Sequence, residues 1–190
     1  MRDKIRNMAK IEMKNNKLKA EEEIHPSSLI LHRLKEVTIV CDGSSLGNGR
    51  ETTRAAAAAV LGFRGYWKAV GEYLGHATNQ QAEIAAATVG LKSLNEPCKV
   101  TVITDSRYVV QTMLGNFRKK TNLDWWEKLE KAARKHDIKW EWTKGHDGHE
   151  IQEIADKMAK MIATMGRVDA VMLEDAVVDI GVTRAPQRTR

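Results

Sequence analysis

The sequence predicts an α/β protein built on a mixed sheet. Residues 37–41 and 99–104 are β-branched and apolar runs that read as buried strands, each followed at once by an aspartate, Asp42 and Asp105. Residues 80–94 place Ala82, Ala85, Ala86, Val89 and Leu94 at helical spacing between those strands. The full order, β-β-β-α-β-α-α-β-α, is that of a meander followed by crossover helices.

Each element has a local reason. Residues 1–23 are polar and Lys-rich and end in Glu21, Glu22 and Glu23, and Ile5, Met8, Ile11 and Met13 keep only weak helical spacing. This stretch reads as a solvated helix or a disordered arm. His25 and Pro26 break it, and Ser27 or Ser28 can cap a short helix running to Leu34. After the strand at 37–41 comes a loop over 43–49. The alanines at 55–59, with Val60 and Leu61, are ambiguous because alanine favours helix. A strand at 66–74 follows, then the helix over 80–94, capped by Thr78 or Asn79, and the strand at 99–104. Ser106 starts a helix with Tyr108, Val109, Met113 and Leu114, and another helix covers 122–136. Ile138, Trp140 and Trp142 alternate with Lys139 and Glu141 as in a strand, so at least one of the two tryptophans is expected to be buried. The last helix, 151–165, carries Ile154, Met158, Met161 and Ile162 on one face. Residues 176–182 are strand-like and lead into a loose basic end at 184–190.

Composition bounds the class. A chain of 190 residues with 42% hydrophobic residues holds one medium domain plus appendages, not a disordered polymer. No apolar run reaches about 18 residues, so no membrane-spanning helix is expected, and the polar N-terminus argues against a secretory signal. Cys41 and Cys98 show no metal or disulfide spacing and read as small buried residues of a reduced, cytoplasmic protein. The net charge of +6 is spread out: residues 1–36 carry nine Lys/Arg against six Asp/Glu, 37–165 eighteen against fifteen, and 166–190 four of each. Such a balance permits nucleic-acid binding without demonstrating it.

The chemistry rests on four carboxylates in separate contexts. They are Asp42 before Gly43 and Ser44, Glu83 behind Thr78-Asn79-Gln80-Gln81-Ala82, Asp105 between Thr104 and Ser106, and Asp156 after Ile154 and Ala155. A fifth motif runs Trp142-Thr143-Lys144-Gly145-His146-Asp147-Gly148-His149. Sites in open α/β sheets lie beyond the carboxyl ends of strands. If the strands ending at Asp42 and Asp105 are neighbours, their carboxylates face each other across one edge. Glu83, on the first turn of its helix, can overhang that edge, and Asp156 reaches it from the last helix. Singly, these residues have ordinary explanations: a strand-end turn former, a solvated helix-start acid, a structural loop histidine. Together, clustered carboxylates repel, and cations relieve the repulsion. Hard divalent ions prefer carboxylate oxygen and keep positions open for phosphate and water. Two such ions can clamp the attacking and leaving oxygens of a phosphodiester.

The stretches 40–48, 78–83, 104–106 with Tyr108, 122–126 and 140–156 resemble the type 1 ribonuclease H family, over residues 37–165. The resemblance implies a five-stranded mixed sheet of order 3-2-1-4-5 flanked by helices. It implies an endonuclease that hydrolyses the RNA strand of RNA/DNA hybrids, leaving 5′-phosphate and 3′-hydroxyl ends. It makes Asp42, Glu83, Asp105 and Asp156 ligands of two Mg2+ ions, with Mn2+ as a substitute, and His146 an aid to catalysis or product release. Asn48, Asn79 and Gln80 would face the 2′-hydroxyls, Thr78 and Asn122 a DNA-strand phosphate, and Trp126 the DNA backbone, with Trp125 in the core. It also decides the alanine run in favour of a strand. The expected partner is the hybrid, with no membrane, and the expected state is a monomer. Residues 1–36 form a basic N-terminal extension and 166–190 a C-terminal tail, both outside the resemblance.

Three departures stand out. The stretch 115–121 is too short for the family's basic protrusion and keeps only Arg118, Lys119 and Lys120, leaving hybrid binding to lean on Lys128, Lys131, Arg134, Lys135 or the terminal arms. Gln152 stands where an asparagine is usual, and the alanines replace a Gly- and aromatic-rich strand start. An exonuclease on the same fold would carry a second acid two residues after the first, where this chain has Ser44. A catalytically silent binding module would not keep all four acids.

Overall fold

The structure, a computed structural model, describes residues 34–47, 53–144, 150–178 and 180. The expectations for the N-terminal arm, for Asn48 and for His146 fall outside the described residues. From Lys35 onward the described residues form one compact unit.

Five strands make one sheet in the order β3-β2-β1-β4-β5, as expected. They are β1 (Lys35–Leu46), β2 (Arg54–Phe63), β3 (Tyr66–Gly75), β4 (Cys98–Thr104) and β5 (Asp137–Trp142). The meander β1-β2-β3 is antiparallel, while β4 lies parallel to β1 and β5 parallel to β4. The tight β2–β3 turn uses Arg64 and Gly65, both at positive φ, with Phe63 paired to Tyr66. Two positive-φ residues match the right-handed strand twist in a two-residue hairpin.

Among the described residues there are helices α1 (Asn79–Lys92), α2 (Arg107–Met113), α3 (Leu123–Ala133), α4 (Glu150–Met165) and α5 (Ala170–Val178). No described helix is long and apolar enough to cross a membrane. Helix α1 opens on a reciprocal cap, in which Thr78 Oγ1 accepts from the Gln81 N–H and Gln81 Oε1 accepts from the Thr78 N–H. Ser106 caps α2 by accepting from the Val109 N–H at 3.3 Å.

Helices cover both faces of the sheet, and that explains the alanine strand. Ala57, Ala59 and Leu61 join Ile39 and Cys41 against Ile84 and Leu91 of α1 and Trp126 and Leu129 of α3. Ala56, Ala58 and Val60 face Met158, Ala159 and Ile162 of α4. A strand buried on both sides needs small residues where helices come close, and this tertiary demand overrides alanine's helical preference. Glycines mark the closest approaches. A Cβ on Gly90 would lie 2.7 Å from Ile39 Cγ2, and one on Gly71 2.4 Å from Ile162 Cδ1.

Several expectations are corrected. The loop expected from residue 43 is still strand: β1 runs on to Leu46 because β2 pairs with it up to Leu46↔Arg54, whereas pairing with β4 stops at Val40↔Ile103. Asp42 therefore lies inside a strand, just past the end of its parallel partner. Helix α3 ends at Ala133, three residues before the expected end. Neither β5 tryptophan is fully buried; Trp140 packs partly on the core and Trp142 is 45% exposed. The tail is not a strand at 176–178. Asp169 Oδ1 accepts from the N–H groups of Val171 and Met172 and starts α5, whose Leu173 is buried and whose Val177 packs beside it. A cap and an apolar i,i+4 pair on the core outweigh the β preference of valine.

Gly43 is the tightest point next to the carboxylates. A Cβ there would sit 2.2 Å from the Ala82 carbonyl carbon and 2.4 Å from the Glu83 nitrogen. Both are helix backbone atoms and cannot rotate away. We expect Gly43→Ala to cost about 3 kcal/mol, as overpacking against rigid neighbours does, and so to lower Tm by roughly 6–12 °C in a chain of this size. A melting curve unchanged from wild type would disprove the contact.

Candidate active site

The parallel strand ends of the sheet and the start of α1 bring acids together. Asp42 extends from β1 beyond the last β1–β4 pair, and Asp105 follows β4 directly. Glu83 is the fifth residue of α1 and opens its second turn, a correction to the expected first turn. Its helix is set down on β1 at Gly43, one residue after Asp42. Asp156 comes from α4 on the other face. The four predicted acids are thereby brought into one electrostatic neighbourhood.

Each side chain is held. Asp42 is buried, and its Oδ1 accepts from the Gly43 N–H at 2.7 Å. Glu83 Oε1 accepts from Asn79 Nδ2 at 2.8 Å and its Oε2 from Ser106 Oγ at 2.5 Å. The indole N–H of Trp142 donates to the backbone oxygen of Asp105 at 2.9 Å, and the Arg107 guanidinium covers the same ring. Lys160 Nζ pairs with Asp156 Oδ2 at 2.7 Å. Gln152, in place of the usual asparagine, is buried on α4 and donates across to the Cys41 carbonyl beside Asp42 at 3.5 Å.

Burial raises the Asp42 carboxyl pKa to about 8, and the charges of Asp105, Asp156 and Glu83 push the same way against the Gly43 hydrogen bond. Glu83 is also raised, first by burial and then by Asp105, while its Ser106 hydrogen bond pulls it down. Burial raises the Cys41 thiol strongly, with Asp42 and Asp105 adding to it, so it stays protonated. Among the described residues no three acidic, His or Cys side chains stand close enough together to hold a metal ion as they are. The set is coupled but open. All four acids offer hard oxygen donors and repel one another, which suits divalent cations that retain water and substrate in their shell.

A polar row leads away from Glu83. Asn122 Oδ1 accepts from Gln81 Nε2 at 3.2 Å, and its Nδ2 donates to Gln80 Oε1 at 3.5 Å. Asn122 sits ahead of α3 at φ 58° without a capping side-chain bond, which leaves its amide to this row. Thr78, Asn79, Gln80 and Asn122 are thus grouped beside the acids. Trp126 is not. It is 1% exposed, edge-on to Tyr108, and the half-buried Trp125 carries the Lys128 ammonium over its ring instead. The expected exposures of the two tryptophans are reversed, because Trp126 and Leu129 share the face that α3 turns to the core. Sequence reasoning missed the roles of Ser106, Gln81 and Lys160. The Thr-Asp-Ser triplet and the i,i+4 spacing of Asp156 and Lys160 were the signals that could have found them.

Residues 34–164 match the RNase H family. The chain belongs to the ribonuclease H family. It is accordingly a metal-dependent endoribonuclease. It is 39% identical over 143 residues to a ribonuclease H of Citrobacter koseri, covering 68% of this chain and 90% of that one. It is 35% identical over 142 residues to that of Photorhabdus laumondii, with 68% and 89% covered. Among solved structures it resembles LC9-RNase H1, a type 1 RNase H with the type 2 active-site motif, at TM-score 0.63 and 25% identity over 78% of this chain and 84% of that chain. The N-terminal RNase H domain of rv2228c from Mycobacterium tuberculosis aligns at TM-score 0.61 and 25% identity, covering 70% and 96%.

The raised Asp42 has a stability consequence in metal-free protein. Its pKa is higher folded than unfolded, so its contribution to stability is intact below about pH 4 and is lost as pH rises towards about 8. We expect Asp42→Asn without metal to match wild type near pH 4 and to melt several degrees higher at pH 8, on the order of a few kcal/mol. Thermal melts at the two pH values check this, and a variant less stable at pH 8 would contradict it.

Proposed function

We propose that the enzyme cuts the RNA strand of RNA/DNA hybrids internally, using two Mg2+ ions held by Asp42, Glu83, Asp105 and Asp156, and leaves 5′-phosphate and 3′-hydroxyl ends. The observation that carries this reading is the coupling of Asp42 to the other three acids, which are delivered by a strand end and two helices on opposite faces. When bound, such ions lower the pKa of the attacking water and stabilise the leaving 3′ oxygen. Mn2+ has the same preference for hard oxygen and substitutes.

The chain's own residues orient that chemistry. Ser106 and Asn79 fix the two oxygens of Glu83, and the Gly43 N–H fixes one oxygen of Asp42. His146, from the Gly-rich stretch before α4, serves as a proton shuttle or release group near neutral pH. Hybrid selectivity requires reading the 2′-hydroxyl across a wide, shallow minor groove. An amide offers two donors and an acceptor oxygen, so Asn79 can hold Glu83 and still meet a hydroxyl. Asn48, Asn79 and Gln80 take that role, and Thr78 with Asn122 takes a phosphate of the DNA strand. The enzyme acts as a monomer in a reducing cytoplasm, in keeping with the buried free thiols Cys41 and Cys98.

The direct test is cleavage of an end-labelled hybrid with and without Mg2+, beside duplex RNA and duplex DNA. Cutting only the hybrid, and only with metal, is expected. Asp105→Asn should leave under about a tenth of the wild-type rate while hybrid binding persists, since one ligand charge is worth several kcal/mol to the transition state. His146→Ala should slow turnover by ~100- to 10,000-fold without abolishing it, the range for a positioned acid/base. An unchanged rate would make it a bystander.

A further inference from the structure

Lys160 lies one helical turn after Asp156, its ammonium 2.7 Å from Asp156 Oδ2. An acid followed four residues later by a base is the favourable order on a helix. The Lys160 side chain is 54% exposed and that of Asp156 25%. Exposed pairs of this kind add little to stability, so holding α4 together does not explain it. What sets the pair apart is its acid, which belongs to the coupled set around Asp42.

A divalent ion and an ammonium cannot both sit against one carboxylate oxygen without repulsion. A hard cation ligates at about 2.1 Å, which brings its charge within a few ångströms of Lys160. The lysine stem is long and flexible enough to give way. A cavity of about 430 Å3, lined by Asp156, Lys157, Lys160, Met161, Thr164 and Met165, opens beside the acid. Two methionines and two lysines share its lining, a mix of apolar and cationic surface that suits a nucleotide and its phosphate.

We propose that Lys160 is an exchangeable counter-ion: it neutralises Asp156 in the metal-free enzyme and is handed to a phosphate of the strand flanking the cut when the metal takes the carboxylate. The inference rests on the proposed metal site. It accounts for how a half-buried acid of a repelling cluster is kept in place before metal arrives. It also gives the substrate a cationic anchor on the α4 side, away from the shortened 115–121 stretch.

Two measurements test it on the full-length protein. Calorimetric titration of Mg2+ and of Mn2+ into substrate-free enzyme should show Lys160→Met binding metal up to about thirty-fold tighter than wild type, the gain from removing one unit charge about 4 Å from a divalent ion in high dielectric. Lys160→Arg should stay within about two-fold of wild type, since its charge is retained. At saturating Mg2+ the KM of Lys160→Met for hybrid should rise several-fold, and the slope of log KM against log salt should become shallower by ~0.9, as when one phosphate is no longer neutralised. Equal or weaker metal binding by Lys160→Met would reduce Lys160 to a surface ion pair and overturn the proposal. An unchanged KM and salt slope would overturn the hand-over. A wild type that binds no divalent metal would instead overturn the metal site itself, and this inference with it.

Discussion

The backbone of α1 rests directly on β1 at Gly43, and the candidate active site depends on that contact. Ala82 and Glu83 lie where any side chain at residue 43 would be. The approach places Glu83 one residue along from Asp42, although the two are forty-one positions apart in sequence. The same helix is anchored further on by Gly90 against Ile39 and Ala59. Two glycine contacts therefore set the height and direction of α1 over the sheet, and the Thr78 cap sets where it begins. The acid's position is fixed by backbone packing, which is stiffer than any side-chain hydrogen bond.

Packing strength is what lets the acids stay together. Their mutual repulsion works against folding, and Asp42 shows it most because it is also buried. The elements that carry them are held by apolar contact on both faces of the sheet. Strain of this kind persists at functional sites when the surrounding structure over-determines the geometry. Hydrogen bonds from Gly43, Ser106 and Asn79 offset part of it and fix which oxygen of each carboxylate points where.

The basic side chains are spread over several places. In the short stretch after α2, Lys119 is paired with Glu130 of α3, so part of its charge is already neutralised. Other cations lie elsewhere: Lys128 over Trp125, Arg107 over Trp142, and Lys157 and Lys160 along the groove beside α4. The exposed Phe117 within the same short stretch, and Leu114 and Leu123 beside it, add apolar surface there.

The order of elements and the four candidate acids were legible in the sequence because each rests on a local pattern, namely β-branched runs, helical spacing and short motifs at strand and helix ends, while the strand order came from the family resemblance. Local patterns could not say where β1 stops. Its extension past Asp42 depends on pairing with β2, a strand whose alanines look helical until helices are known to press on both faces. They could not tell Trp125 from Trp126, because one residue's step around a helix decides which ring is buried, and only the packing of α3 fixes its rotation. The tail escapes local patterns for the same reason: valine prefers strands, but Asp169 and the apolar surface beside β3 make residues 170–178 a helix. The sequence by itself determined the chemistry, since carboxylate identity and motif order are covalent facts. The tertiary structure decided which atoms meet, since close approach at Gly43, the hold of Ser106 on Glu83 and the pairing of Lys160 with Asp156 exist only once the sheet and helices are packed.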